Sequence, residues 1–206
     1  MANFLIFGDD SPRALLLAQH LPQSGDHVWL AARQQPTFEP RRGVQLHWIQ
    51  VDLYERGAGS LIANSFGSQA LDVCIYDSQI TQDTHGQHTD EQLTALRLTT
   101  AILCIQKLLP NLRQAASARI LFVGPGPSAL AEPTRARLGI RDVAHTLRDI
   151  LRAHLIGVTC LYAADDFLAD DSPASEARRR DLLMLVRCLI SLSAHSAVRE
   201  VDLAQL

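Results

Sequence analysis

A chain of 206 residues is short enough for one α/β domain and long enough to bury a sizeable core, since chains usually divide only beyond about 250 residues. Apolar residues make up 47% and charged residues 20%, which excludes the disordered class. A formal net charge of -3 and a pI near 6.2 supply no positive field for nucleic-acid phosphates or anionic lipid, so neither is expected as a partner.

The opening MANFLIFGDD has a short apolar run and then two aspartates, without the basic start and long apolar stretch of a signal peptide. No later segment reaches the roughly 18 apolar residues that span a bilayer, and a cytoplasmic location is expected. Strands are predicted at Asn3 to Phe7, His27 to Ala32, Gln45 to Val51, Val73 to Tyr76, Arg119 to Val123, Gly157 to Leu161 and Ala197 to Leu203. Between the first two, Ser11 offers an N-cap and Pro12 a first helical residue whose missing N–H costs nothing, so a helix over Pro12 to Leu21 is expected. A helix from about 90 to 109 carries the uninterrupted apolar run Ala101 to Ile105. Another, from about 139 to 154, places Ile140, Val143, Leu147, Ile150 and Leu151 at helical spacing, with Arg141, His145, Arg148 and Arg152 on another face. Ala164 to Arg178 reads as a polar loop before a last helix around Asp181 to Leu192. Alternating strands and helices imply a parallel sheet of about seven strands, covered by helices on both faces, in one domain spanning 1–206.

The four cysteines, Cys74, Cys104, Cys160 and Cys188, lie in apolar stretches and form no C-x-x-C pair, which predicts buried free thiols. His85, His88 and Asp90 have a spacing that a metal could use, but a polar loop leading into a helix capped near Thr89 explains them without one, and no metal is expected. Ser128, Asp142 and His145 lack the G-x-S-x-G elbow of a hydrolase. Arg178 to Arg180, flanked by Glu176 and Asp181, read as a solvated helix end.

The order of pieces resembles the short-chain dehydrogenase/reductase family over essentially the whole chain. WIQVDL (Trp48 to Leu53) is similar to its third strand with the terminal Asp-Leu, and LDVCIYDSQI (Leu71 to Ile80) to its fourth, where Tyr76, Asp77, Ser78 and Gln79 stand for Asn-Asn-Ala-Gly. GVTCLYAADDF (Gly157 to Phe167) resembles the sixth strand, with Ala163 and Ala164 for Pro-Gly, and AVREVDL the closing one. The resemblance implies a single Rossmann-type, doubly wound α/β domain. It implies cofactor-facing positions at Gly8 and Ser11 in the first loop, Arg33 after the second strand, Asp52 and Leu53 after the third, and Asp77 and Ser78 after the fourth.

The motifs themselves are altered. In FGDDSPRA only Gly8 survives of the G-x-x-x-G-x-G loop; Pro12 and Ala14 replace the other glycines, and Asp9 and Asp10 bring negative charge toward an arriving pyrophosphate. Arg33 stands where NADP-preferring members often keep a cation for the ribose 2′-phosphate, and a solvated arginine at a strand end is the equal alternative reading. In the family's frame Arg97 replaces the relay asparagine, Pro125 the serine, and Pro133 with Arg137 the tyrosine and lysine; a one-residue shift gives Thr134 and Leu138. A general acid needs a group tunable toward neutrality, which none of these supplies, so no catalytic residue is assigned. The expectation is therefore a non-catalytic interaction or regulatory module with weak or no NAD(P) binding, so that no cofactor is expected, NADP being the one left open. The alternatives are a divergent NADP-dependent oxidoreductase or a binding protein for another small ligand. A homodimer through the helices near 90–109 and 139–154 is expected, and an unrelated protein partner is the other occupant considered for that surface.

Overall fold

The computed structural model describes residues 1–8, 11–78, 89–126, 131–164, 171–193 and 198–203. His85, His88 and Ser128, singled out above, lie outside them, as do Asp9 and Asp10.

Seven strands form one parallel sheet: β1 (Asn3–Phe7), β2 (His27–Ala32), β3 (Gln45–Gln50), β4 (Val73–Asp77), β5 (Arg119–Pro125), β6 (Gly157–Ala163) and β7 (Glu200–Asp202). Their spatial order is β3-β2-β1-β4-β5-β6-β7, so the chain winds outward from β1 on one side, returns beside it as β4, and winds outward on the other. The reversal between β1 and β4 opens a crevice outside the strands' carboxyl ends, where sheets of this kind bind ligands.

Burial follows position in the sheet. The central β4 is buried at every residue and is apolar from Val73 to Tyr76 before it ends on Asp77, whereas the edge strand β3 is mostly exposed or half-buried. Within β1, Phe4 and Ile6 enter one core layer while Leu5 and Phe7 enter the other, because successive side chains leave a strand on opposite faces. The first layer packs under α1 (Pro12–His20) and α6 (Pro173–Ser191). The second packs under α2 (Ala58–Phe66), α3 (Asp90–Lys107), the short α4 (Leu109–Gln114) and α5 (Ala131–Leu151).

Helix starts follow local capping. Ser11 Oγ accepts from Ala14 N at 2.9 Å with Pro12 next in sequence. Thr89 and Gln92 form a reciprocal box, Thr89 N donating to Gln92 Oε1 at 3.0 Å and Gln92 N to Thr89 Oγ1 at 3.3 Å. Ser172 and Pro173 repeat the Ser-Pro start of α1, with Ser175 N donating to Ser172 Oγ at 3.2 Å. The polar segment read as a loop through Arg178 is therefore helical from Pro173, since capping outweighs its polar composition. α5 likewise begins at Ala131, earlier than expected, and passes into a 3₁₀ turn at Arg152–His154.

Three further expectations change. Cys74, Cys104 and Cys160 are buried, but Cys188 is exposed on the outer face of α6. Ile150 is exposed although it shares helical spacing with the buried Leu147 and Leu151. The apolar breadth of α3 has an internal cause, because α3 runs between α2 and α5. Ala101, Cys104 and Ile105 face the core, and Gly59 brings α2 so close that a Cβ there would lie 2.9 Å from Cys104 N and Thr100 O. On this helix Leu103 is the large apolar residue that remains substantially exposed among the described side chains.

Candidate functional site

The crevice at the switch point is built from the turn after β1, the first turn of α1 and the end of β4. Gly8 is required by close approach, since a Cβ there would lie 2.8 Å from the Cβ atoms of Ala14 and Asp77. Ser11 caps α1 and donates from its hydroxyl to Asp77 Oδ2. Asp77, fully buried at the end of β4, also receives Arg13 through Nε at 2.9 Å and through Nη2. The Arg13 side chain is itself fully buried, and its Nη1 donates to Ala163 O at 3.0 Å and Gly124 O at 3.4 Å. One guanidinium thus ties together the carboxyl ends of β4, β5 and β6.

A second buried arginine approaches from α3. Arg97 donates to Asp77 O at 3.2 Å and lies 5.6 Å from the centre of the Tyr54 ring, a cation–π contact. Ser78 is buried beside it; its N–H donates to Val123 O at 2.9 Å, and its hydroxyl has no hydrogen-bond partner among the described residues. A buried hydroxyl in that state is a place where a polar ligand atom gains a partner.

The other expected positions lie along the β2 and β3 side. Arg33 follows β2 directly and is half-buried. Asp52 accepts from Tyr54 N at 2.9 Å, an Asx turn that shapes the loop after β3. Leu53 points into the core, and its carbonyl accepts from Thr100 Oγ1 at 2.9 Å, fastening that loop to α3. Gly8, Ser11, Asp77 and Ser78 are thus brought together at the crevice, with Arg33 and Asp52 on its flank and Leu53 facing inward.

At the end of β5 the positions compared with catalytic residues take structural roles. Pro125 closes the strand, and Gly126 N donates to Ala163 O at 2.9 Å. Neither tyrosine nor lysine occurs on α5. Arg137 lies 4.0 Å from the centre of the Tyr162 ring and pairs with Asp202 at 2.8 Å. Burial pushes the Tyr162 phenol well above its ordinary range, with neighbouring Cys160 adding to the rise. A tyrosine poised as a general acid would be shifted the other way.

Sequence reading missed Arg13. An available signal is a cation in the first turn of a helix, where the helix dipole disfavours it unless a carboxylate stands nearby.

The first turn of α1 does not fit a dinucleotide pyrophosphate as a glycine loop does. Pro12 has no N–H, Ala14 N is already bonded to Ser11 Oγ, and Arg13 crosses the adjoining strand ends.

No protein-family model matches the chain. It is 25% identical to a rhamnolipid-biosynthesis 3-oxoacyl-[acyl-carrier-protein] reductase of Pseudomonas aeruginosa, over 74% of this chain and 66% of that one, just under two thirds of the relative's length. Among solved structures it is similar to the RhlG/NADP active-site complex of Pseudomonas aeruginosa, with TM-score 0.72 and 19% identity, covering 98% of this chain and 94% of that one. L-sorbose reductase of Gluconobacter frateurii, solved with NADPH and L-sorbose, gives TM-score 0.74 and 17% identity, covering 98% and 95%. A metagenomic short-chain oxidoreductase in complex with NADP gives TM-score 0.71 and 18% identity, covering 98% and 96%. These findings overturn the expectation of a non-catalytic interaction or regulatory module, because the proteins this chain is similar to are oxidoreductases. They equally remove support for the expectation of no cofactor, since these solved neighbours hold NADP or NADPH. No helix among the described residues is long and apolar enough to cross a membrane. The chain has the seven-stranded Rossmann-type fold of the short-chain dehydrogenases and reductases it is similar to.

Proposed function

We propose that the protein is a divergent NADP-dependent oxidoreductase of the short-chain dehydrogenase type, acting on a carbonyl or alcohol substrate. The observation that carries this reading is the switch-point crevice itself: the buried Ser78 hydroxyl awaits a polar partner, and Arg33 stands at the end of β2. The similarity to NADP and NADPH complexes over nearly the whole chain supports it. Arg33 is assigned to the ribose 2′-phosphate and the Asp52 loop to the adenine border, while Ser78 and Gly8 line the approach. Because α5 offers no tyrosine, the substrate's proton comes from another group, and this chain's divergence lies in that step.

Trp29 on β2 and Trp48 on β3 give an optical readout. Energy transfer from tryptophan to reduced nicotinamide is expected to saturate with NADPH and to be weaker with NADH. Arg33→Ala is expected to remove that preference by about tenfold or more, the worth of a charge-assisted hydrogen bond. NADPH oxidation, followed at the nicotinamide band with 3-oxoacyl thioesters and keto sugars, tests turnover. Absence of binding by either nucleotide at millimolar concentration would overturn the cofactor assignment.

We also propose a homodimer across α3 and α5. Supporting it are Leu103 on α3 and Leu138 on α5, which are 44% and 45% exposed. Light scattering should report twice the chain mass, and Leu103→Arg a folded monomer. Ile105 is unsuitable for this purpose, being fully buried in the chain's own core. A wild-type monomer at tens of micromolar, roughly the range of ordinary dimer affinities, would sink the proposal.

A further inference from the structure

We infer that Arg13 is a gate on the dinucleotide site: its guanidinium, held by Asp77 and the carbonyls of Gly124 and Ala163, occupies the strand ends that a dinucleotide must reach. This inference rests on the cofactor reading above and concerns how that site is controlled.

Several observations converge. Arg13 is the second residue of α1, beside the turn where a pyrophosphate would approach the helix N-terminus. From there its side chain runs inward instead of toward solvent, and no part of it is exposed. Its Nε and Nη2 engage Asp77 at the end of β4, and its Nη1 reaches the carbonyl oxygens of Gly124 near the end of β5 and Ala163 at the end of β6. The guanidinium therefore spans from the switch point to the far side of the adjoining strands. Ser11 completes the closure, since its hydroxyl donates to the same carboxylate and also caps Ala14 N.

Local energetics alone do not place an arginine there. A cation in the first helical turn opposes the dipole, and taking a guanidinium fully out of water is costly. Both costs are met by the same contacts that close the crevice. For a ligand that binds only the open form, apparent affinity is reduced by the fraction of molecules that are open. Removing the gate without leaving a buried charge should restore that affinity.

The experiment uses the full chain with Arg13→Leu and Asp77→Asn combined, so that neither partner remains as an unpaired buried ion. Circular dichroism and thermal melting establish folding. NADPH and adenosine 2′,5′-bisphosphate are each titrated by tryptophan fluorescence and by calorimetry into wild type, this double variant and Arg13→Lys. The double variant is expected to bind NADPH at least about tenfold more tightly than wild type, which corresponds to about 1.4 kcal/mol, with the bisphosphate's affinity unchanged. Arg13→Lys, which retains a cation for Asp77, should stay near wild type for both. Equal NADPH affinity in wild type and the double variant would overturn the gate while leaving the cofactor reading intact. Weaker binding by the double variant would show that Arg13 itself holds the phosphates, and would also overturn it. Binding of neither ligand by any of the three proteins would overturn the gate and the cofactor reading together.

Discussion

Asp77→Ala is expected to destabilise the fold by about 3–5 kcal/mol, the usual cost of removing one partner from a buried ion pair. Both side chains are fully buried, so solvent screening does not discount the interaction. Loss of the carboxylate strands the Arg13 guanidinium at the ends of β4, β5 and β6, and removes the acceptor of the Ser11 hydroxyl. Against a typical total stability of about 5–15 kcal/mol this is a large fraction. A chain of this size loses about 2–4 °C of melting temperature per kcal/mol, so Tm should fall by on the order of 10 °C. Arg13→Leu with Asp77→Asn should recover most of the loss, because it removes both charges and leaves the amide free to accept from Ser11. A Tm change of about 2 °C or less for Asp77→Ala would contradict the burial of this pair.

Phe122→Ala should be comparably severe, at about 3–5 kcal/mol by urea denaturation. Phe122 is fully buried in β5, in register with Tyr76 of β4 and Cys160 of β6, and its ring meets that of Tyr76 edge-on at 5.7 Å between centroids. Truncation leaves a cavity in the layer between sheet and α5, where strands on both sides prevent collapse. Met184→Ala serves as the control, since Met184 is 66% exposed on α6 and should change stability by no more than about 0.5 kcal/mol. A loss below about 1 kcal/mol at Phe122 would mean that the core rearranges to fill the space.

The two predictions probe one arrangement. Arg13, Asp77 and the carbonyls of Gly124 and Ala163 bind the strand ends where the candidate site lies, and Phe122 supports the same strands from the helix layer below. Stability and ligand entry draw on a common set of contacts. A variant that opens the crevice must replace Arg13 and Asp77 together to keep the fold.

Local signals in the chain were sufficient for much of the architecture. The alternation of apolar strand runs with longer helical patterns specifies a parallel sheet, because only helices on both faces can bury strands such as ILFVG all round. The Ser11-Pro12 start of α1 is legible because a cap acts through the next three residues and needs no tertiary context. The same signature at Ser172-Pro173 was available, but the polar composition around it concealed the start of α6.

What required the tertiary structure were relations between residues far apart in the chain. Arg13 meets Asp77 across 64 positions and Ala163 across 150, and no periodicity records such a contact. That α2 and α5 flank the apolar run of α3 is likewise a relation between elements, which one helix's pattern cannot reveal. Leu53, beside Asp52 in the Asp-Leu motif, turns inward because Thr100 fastens its carbonyl to α3. Sequence by itself determined the element types, their order and the altered loop chemistry, since capping and amphipathic period are local properties. Packing alone decided that Arg13 ties the strand ends beside the switch point, because a buried charge settles where the folded chain supplies a carboxylate and carbonyl oxygens.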